Sequence, residues 1–116
     1  MDERLENALE FANYRITLGN QKRTIRQRMT VLTTVQYRTG VFHANPITIS
    51  FVKALIDANK TNAIVLDTKD NPIEIEDLKE FLDTLLSAYT EATNEYKVQL
   101  DKVKKARNIK SLMDWW

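Results

Sequence analysis

From Leu78 to Ala106, nine residues follow one another at spacings of four and three without a break: Leu78, Leu82, Leu85, Tyr89, Ala92, Tyr96, Gln99, Val103 and Ala106. An α-helix brings residues so spaced to one face, and four heptads of them form a coiled-coil-like seam. At about 1.5 Å per residue the seam is roughly 43 Å long. A seam of that length is stable in water only when something equally long covers it, and this requirement narrows the folds open to the chain.

One other stretch meets the requirement. Leu5, Leu9, Ala12 and Ile16 share a helical face, and apolar spacing resumes at Ile25, Met29 and Leu32. Asp2 stands as N-cap, with Glu3 and Glu6 placed favourably in the first turn. Gly19-Asn20 is a weak point where the helix would kink rather than end, since no proline follows. The expected helix covers residues 3–37. Its end is ambiguous, because VLTTVQY (31–37) is rich in β-branched residues and also reads as strand. The whole chain of 116 residues has only 2 Gly and 2 Pro, which favours long helices over a many-turned sandwich.

Between the long helices the signals are denser. Thr39-Gly40 closes the first segment and VFHA (41–44) reads as a short extended piece. Asn45-Pro46 is a helix start, with Asn as N-cap and Pro at the first helical position. The helix that follows, 46–58, carries Ile47, Phe51, Val52, Leu55 and Ile56. AIVLD (63–67), TKDN (68–71) and PIEI (72–75) read as a β-hairpin with a four-residue loop. Asp77 and Glu80 have capping-box spacing at the head of a last helix, 77–107. The expected fold is α+β and mostly helical: two long antiparallel helices flank a short helix and a β-hairpin. It forms a single domain over 1–116, divided into a long helix (1–38), an insert (39–75) and a long helix with a Trp-rich tail (76–116).

Charge order supports the antiparallel arrangement. Residues 1–10 hold four acids against Arg4, whereas 11–56 hold none against Arg15, Lys22, Arg23, Arg26, Arg28, Arg38 and Lys53. Residues 57–101 carry eleven acids against four lysines, and 102–116 five bases against Asp114. Antiparallel long helices set basic 15–38 beside acidic 74–95, and acidic 1–10 beside basic 102–110. Exposed pairs contribute only tenths of a kcal/mol each, so the pattern selects orientation more than it stabilises.

The basic stretch QKRTIRQR (21–28) has a sharper reading. Lys22, Arg23, Arg26 and Arg28 would neutralise phosphates, with Tyr14 and Tyr37 stacking bases. The net charge of only +1 and the lack of a nucleic-acid-binding motif argue for a basic face that meets acids of its own chain or of a second copy. Catalysis has little to draw on. His43 is the only histidine, cysteine is absent, and no Gly-rich phosphate loop or G-x-S-x-G occurs. Asp67, Asp70, Asn71 and Glu74 make an acidic turn without the spacing or turn glycine of an EF-hand. No catalytic, cofactor-binding or metal-binding residues are expected. No apolar run is long enough to span a bilayer, and MDERLENALE is too acidic for a signal peptide, so a cytoplasmic protein without membrane contact is expected.

Apolar surface remains unaccounted for. Phe81, Leu86, Val98 and Leu100 lie off the main seam, and LMDWW brings Leu112, Trp115 and Trp116 to the chain's end. Phe81, Leu86, Leu100, Leu112, Trp115 and Trp116 are therefore the expected partner interface, most simply with a second copy as a dimer.

The phrases FANYRITL (11–18), ISFVKALID (49–57), NPIEIEDLKEFL (71–82) and EATNEY (91–96) resemble a small family of uncharacterised proteins from T4-like marine phages of the cyanophage type. The resemblance covers most of the chain and implies a viral origin and the cytoplasm of a bacterial host, with no activity or site to transfer. The helix–β–helix order is also similar to that of prefoldin subunits, from which the chain departs by its 46–58 helix; that is likeness of fold alone. The resulting expectation is a non-enzymatic, self-associating interaction or assembly protein. The alternative is a nucleic-acid-binding regulator that uses the basic segment 15–38.

Overall fold

The computed structural model describes residues 2–114, with side chains from 2 to 105. Its elements are α1 (Glu3–Thr33), β1 (Thr34–Tyr37), β2 (Gly40–His43), α2 (Pro46–Asp57), β3 (Ala63–Leu66), β4 (Pro72–Ile75) and α3 (Leu78–Asp114). The chain is α+β and mostly helical, as the periodicity requires. It divides into two compact units, one of residues 1–28 with 95–116 and one of residues 29–94.

The first unit is a helical pair. Asp2 caps α1: its carboxylate accepts the Arg4 amide at 3.1 Å, and its carbonyl accepts the amides of Leu5 and Glu6. The helix continues through Gly19-Asn20, where open space surrounds the glycine. Arg28 meets Glu95, and Thr17 to Ile25 line one cleft with Gln99 to Val103. Rising numbers on α1 face falling numbers on α3, so the two helices run antiparallel here.

The second unit holds the core. The sequence reading is corrected at the helix ends: α1 stops at Thr33 rather than 37, the strand alternative for 31–37 holding from Thr34 so that 34–43 form a second hairpin with the extended VFHA, and α3 runs to Asp114, past the expected 107. Thr33 and Thr34 close the helix by donating their hydroxyls to the carbonyls of Met29 and Thr30, at 3.0 and 2.8 Å. The Ala44 amide donates to the Thr33 carbonyl at 2.7 Å, so the returning strand supplies a further partner. A helix that lacks a terminal glycine is thus stopped by hydroxyls and by a neighbour in space. β1 and β2 pair antiparallel in the register Thr34↔His43 to Tyr37↔Gly40, joined by a two-residue turn whose Arg38 has φ 56°. Val35, Tyr37, Gly40 and Phe42 point inward by the two-residue alternation of strands.

α2 starts where expected, with Asn45 Oδ1 accepting the Thr48 amide at 2.8 Å and Pro46 in the first turn. It ends in a left-handed Asn59 (φ 66°). The Lys60 amide donates to the Leu55 carbonyl and the Asn59 amide to the Ile56 carbonyl, which is a Schellman cap. β3 and β4 pair from Ala63↔Ile75 to Leu66↔Pro72, so the loop between them is five residues, one longer than read from sequence. Asp77 caps α3 by accepting the Glu80 amide at 3.1 Å. Every seam residue from Leu78 to Val103 is buried or half-buried. In the second unit the buried face is wider than the seam and takes in Phe81, whose ring meets Tyr37 at 4.9 Å and Phe42 at 4.8 Å.

Candidate functional site

The basic stretch lies on α1 in the helical-pair unit. Lys22 is half-buried, while Arg23, Arg26 and Arg28 are exposed. Arg28 donates through Nε to Glu95 Oε1 at 3.2 Å. In the other unit Arg38 Nη2 stands 3.9 Å from Glu76 Oε2. Both pairs join the basic 15–38 block to the acidic 74–95 block, each inside its own unit. The stretch thus has at least one of its four cations committed to an acid of the same chain. Further along α3, Lys97 donates to Asp101 at 2.9 Å, and this hydrogen bond outweighs desolvation to hold the Asp101 carboxyl below its ordinary value.

Beside the basic stretch the helical pair leaves a cleft of about 490 Å³. Ile25 and Val103 supply its apolar lining, and Thr17, Asn20, Gln21, Thr24, Gln99 and Lys102 its polar groups. Thr24 spends its hydroxyl hydrogen on the Asn20 carbonyl at 3.0 Å. The cleft is hydroxyl- and amide-lined with one cation, a chemistry suited to hydrogen bonding rather than to proton transfer.

The acidic turn of the β3–β4 hairpin is a structural device. Asp67 is buried, and its Oδ1 accepts the amides of Asn71 and Lys69 at 2.8 and 2.9 Å. Its Oδ2 accepts the Val41 amide at 3.4 Å and the Asn71 side chain at 3.5 Å. Burial alone would raise this carboxyl, but the donors from Asn71, Lys69 and Val41 together pull it below its ordinary value of 3.8. Asp70 and Glu74 of the same turn are exposed. Among the described residues no group of three His, Asp or Glu is placed to hold a metal ion. His43 is exposed at the end of β2, opposite Thr34.

The expected partner interface is redistributed. Phe81 is fully buried between Tyr37 and Phe42 and belongs to the core, which corrects its assignment to a surface. The off-seam position is explained by what α3 packs against: a layer of strands covers a broader helix face than a single helix does. Leu86 is 40% exposed and Leu100 half-buried, so both keep surface to offer. Leu112, Trp115 and Trp116 lie outside the residues whose side chains are described.

Other apolar surface went unremarked in the sequence. Ile47 and Phe51 lie one turn apart on the outer face of α2, 82% and 52% exposed. Ile64 and Leu66 share the outer face of β3, 68% and 59% exposed. The signal was present: Ile47 and Phe51 fall opposite Ile49, Val52 and Ile56 on the α2 wheel, and AIVL has apolar residues on both faces of a strand. Hydroxyls of Tyr14 and Tyr37 are buried with no protein partner. No described helix is long and apolar enough to cross a membrane.

Set against models of protein families, curated proteins and solved structures, the chain matches none.

Proposed function

We propose that this chain is a non-enzymatic interaction or assembly protein that associates with itself. The observation that carries the reading is the pairing of exposed apolar residues on single faces, Ile47 with Phe51 and Ile64 with Leu66, in a unit whose core is already complete. Scattered exposed leucines are ordinary, whereas adjacent large apolar side chains on one element mark contact surfaces. Burial of that surface stabilises by about 25 cal/mol per Å², and symmetric dimers are the commonest way to bury it. The resemblance of the quoted phrases to small phage proteins supports placing the role in the cytoplasm of an infected bacterium.

Sedimentation equilibrium across a concentration series tests the reading. The expected result is a mass near twice 13.5 kDa that falls on dilution. A mass of 13.5 kDa throughout the series refutes self-association.

A further inference from the structure

α2 is apolar on two sides. Val52 is fully buried, and Ile49, Leu55 and Ile56 pack on the core of their unit. Turned away from that core, Ile47, Phe51, Ala54 and the cap residue Ala58 follow at spacings of four, three and four, and all four are exposed. An α-helix gathers residues so spaced into one stripe, the pattern of a helix that packs on another helix. Ile47 is the most exposed large apolar side chain among the described residues. The stripe is graded: its two large side chains stand in the first half of the helix and its two small ones in the second.

Charge on α2 is graded as well, and against the helix dipole. The first turn holds no acid, while the last turn holds Asp57 and no base. An acid in that place faces the negative end of its own helix. Lys53 answers it from one turn back at 3.0 Å, yet both side chains are more than half exposed. Lysine before acid is also the weaker order for such a pair.

We infer that α2 packs antiparallel on α2 of a second copy, about a two-fold axis that sets Phe51 over the partner's Ala54 and Ile47 over the partner's Ala58. The inference rests on the self-association proposed above and names its surface. The two gradings select this occupant. Reversing the helix lays the large half of the stripe on the small half, twice, so the side chains interdigitate. A parallel pair sets Phe51 on Phe51 and leaves alanine facing alanine. The antiparallel register also carries Asp57 of each copy to the flank beside Ser50, toward the positive first turn of the other helix. There the acid meets a hydroxyl donor and a favourable dipole, and Lys53 lies on the side turned away from the stripe. A single helix pair is a small contact, so the dimer is expected to be weak, with a dissociation constant in the micromolar range.

The test uses the full chain in sedimentation experiments. Phe51→Ala sets alanine on alanine, and Ala54→Phe sets phenylalanine on phenylalanine. Each alone is expected to dimerise about tenfold or more weakly than wild type. The double variant Phe51→Ala/Ala54→Phe restores large against small across the axis, and it is expected to dimerise within about threefold of wild type. All the substitutions fall on exposed positions, and circular dichroism with thermal melts verifies that each variant folds. In wild type, the NMR signals of Ile47, Phe51, Ala54 and Ala58 are expected to shift as concentration rises while those of Ile64 and Leu66 stay fixed, a readout that needs no substitution. Three results overturn the α2 contact and leave self-association standing: a Phe51→Ala protein that dimerises like wild type, a double variant no stronger than the single ones, or concentration-dependent shifts that miss α2. A wild-type monomer at all concentrations overturns self-association itself.

Discussion

The Asp67 carboxylate accepts the Val41 amide at 3.4 Å, while the next residue, Thr68, donates its own amide to the Val41 carbonyl at 2.9 Å. One residue of β2 thus has both backbone groups taken by the loop of the other hairpin. The two sheets share no ladder, and this exchange is the polar pin between them. Because Asp67 also gathers the Lys69 and Asn71 amides, the same carboxylate shapes its loop and docks it.

Asp67→Asn is expected to lower the thermal midpoint by several degrees at neutral pH, since it places an amide N–H₂ among donors. The folded carboxyl sits below its ordinary value of 3.8, so its contribution is full above that pH and is lost as pH falls through the lower folded value. The gap in midpoint between wild type and variant should therefore close in acid. Thermal melts from pH 7 down to about 2 check this, and a gap that stays constant over that range contradicts the role.

Gly40 occupies a position with no room for a side chain. A Cβ there would stand 2.6 Å from Ile73 Cγ1 and 2.9 Å from Phe42 Cε2. Gly40→Ala is expected to cost about 1–3 kcal/mol, the range for overpacking a filled core. Ile73→Ala removes the nearer obstacle, so the double variant should lose less stability than the two single losses added. Urea unfolding of the four proteins reads the coupling directly.

What the sequence made legible was local. The α2 start needs only Asn45 and Pro46, and the α3 seam needs only its spacing, so the first stands as read and the second stands as read from Leu78 to Val103. The end of α1 was not legible, because Thr33 and Thr34 suit a helix C-terminus and a strand alike. What decides between them is the Ala44 amide, which returns from eleven residues on. The docking of Asp67 was hidden for the same reason: its partner, Val41, is far away in the chain. Of the candidate surfaces, the charge blocks could be read, whereas AIVL showed apolar residues on both faces of a strand without showing that Ile64 and Leu66 would be the exposed pair. Which face of AIVL meets water depends on which face the core claims.

Asn59 closes α2 in the left-handed region, where a side chain is strained and glycine is not. Asn59→Gly should raise stability slightly, by up to about 1 kcal/mol, and Asn59→Ala should lower it by a similar amount. Denaturant midpoints of the two variants are expected to fall on opposite sides of wild type.

Arg28 and Glu95 bring the two charge blocks together, yet their side chains are 58% and 33% exposed. A double-mutant cycle with Arg28→Ala and Glu95→Ala should give a coupling of about 0.2–1 kcal/mol at low salt. It should shrink as ionic strength rises past about 0.1 M, where the Debye length falls to roughly 10 Å. A larger, salt-insensitive coupling would mean that the pair does more than orient the helices.

Phe81 and Leu86, both off the α3 seam, separate core from surface in one experiment. Phe81 is fully buried between two rings, and truncating such a side chain removes its transfer free energy and leaves a cavity. Phe81→Ala is therefore expected to cost about 3–5 kcal/mol, a large part of the 5–15 kcal/mol typical of a whole domain. Leu86 is 40% exposed, so Leu86→Ala should change stability by no more than about 0.5 kcal/mol. Self-association gives the second axis. If Leu86 belongs to a contact between copies, its substitution weakens the dimer without lowering the unfolding midpoint measured under monomeric conditions. If it does not, sedimentation and unfolding both match wild type. The two residues are only five apart on one helix, and the spacing that placed them together off the seam carries no record of the aromatic pair that claims Phe81.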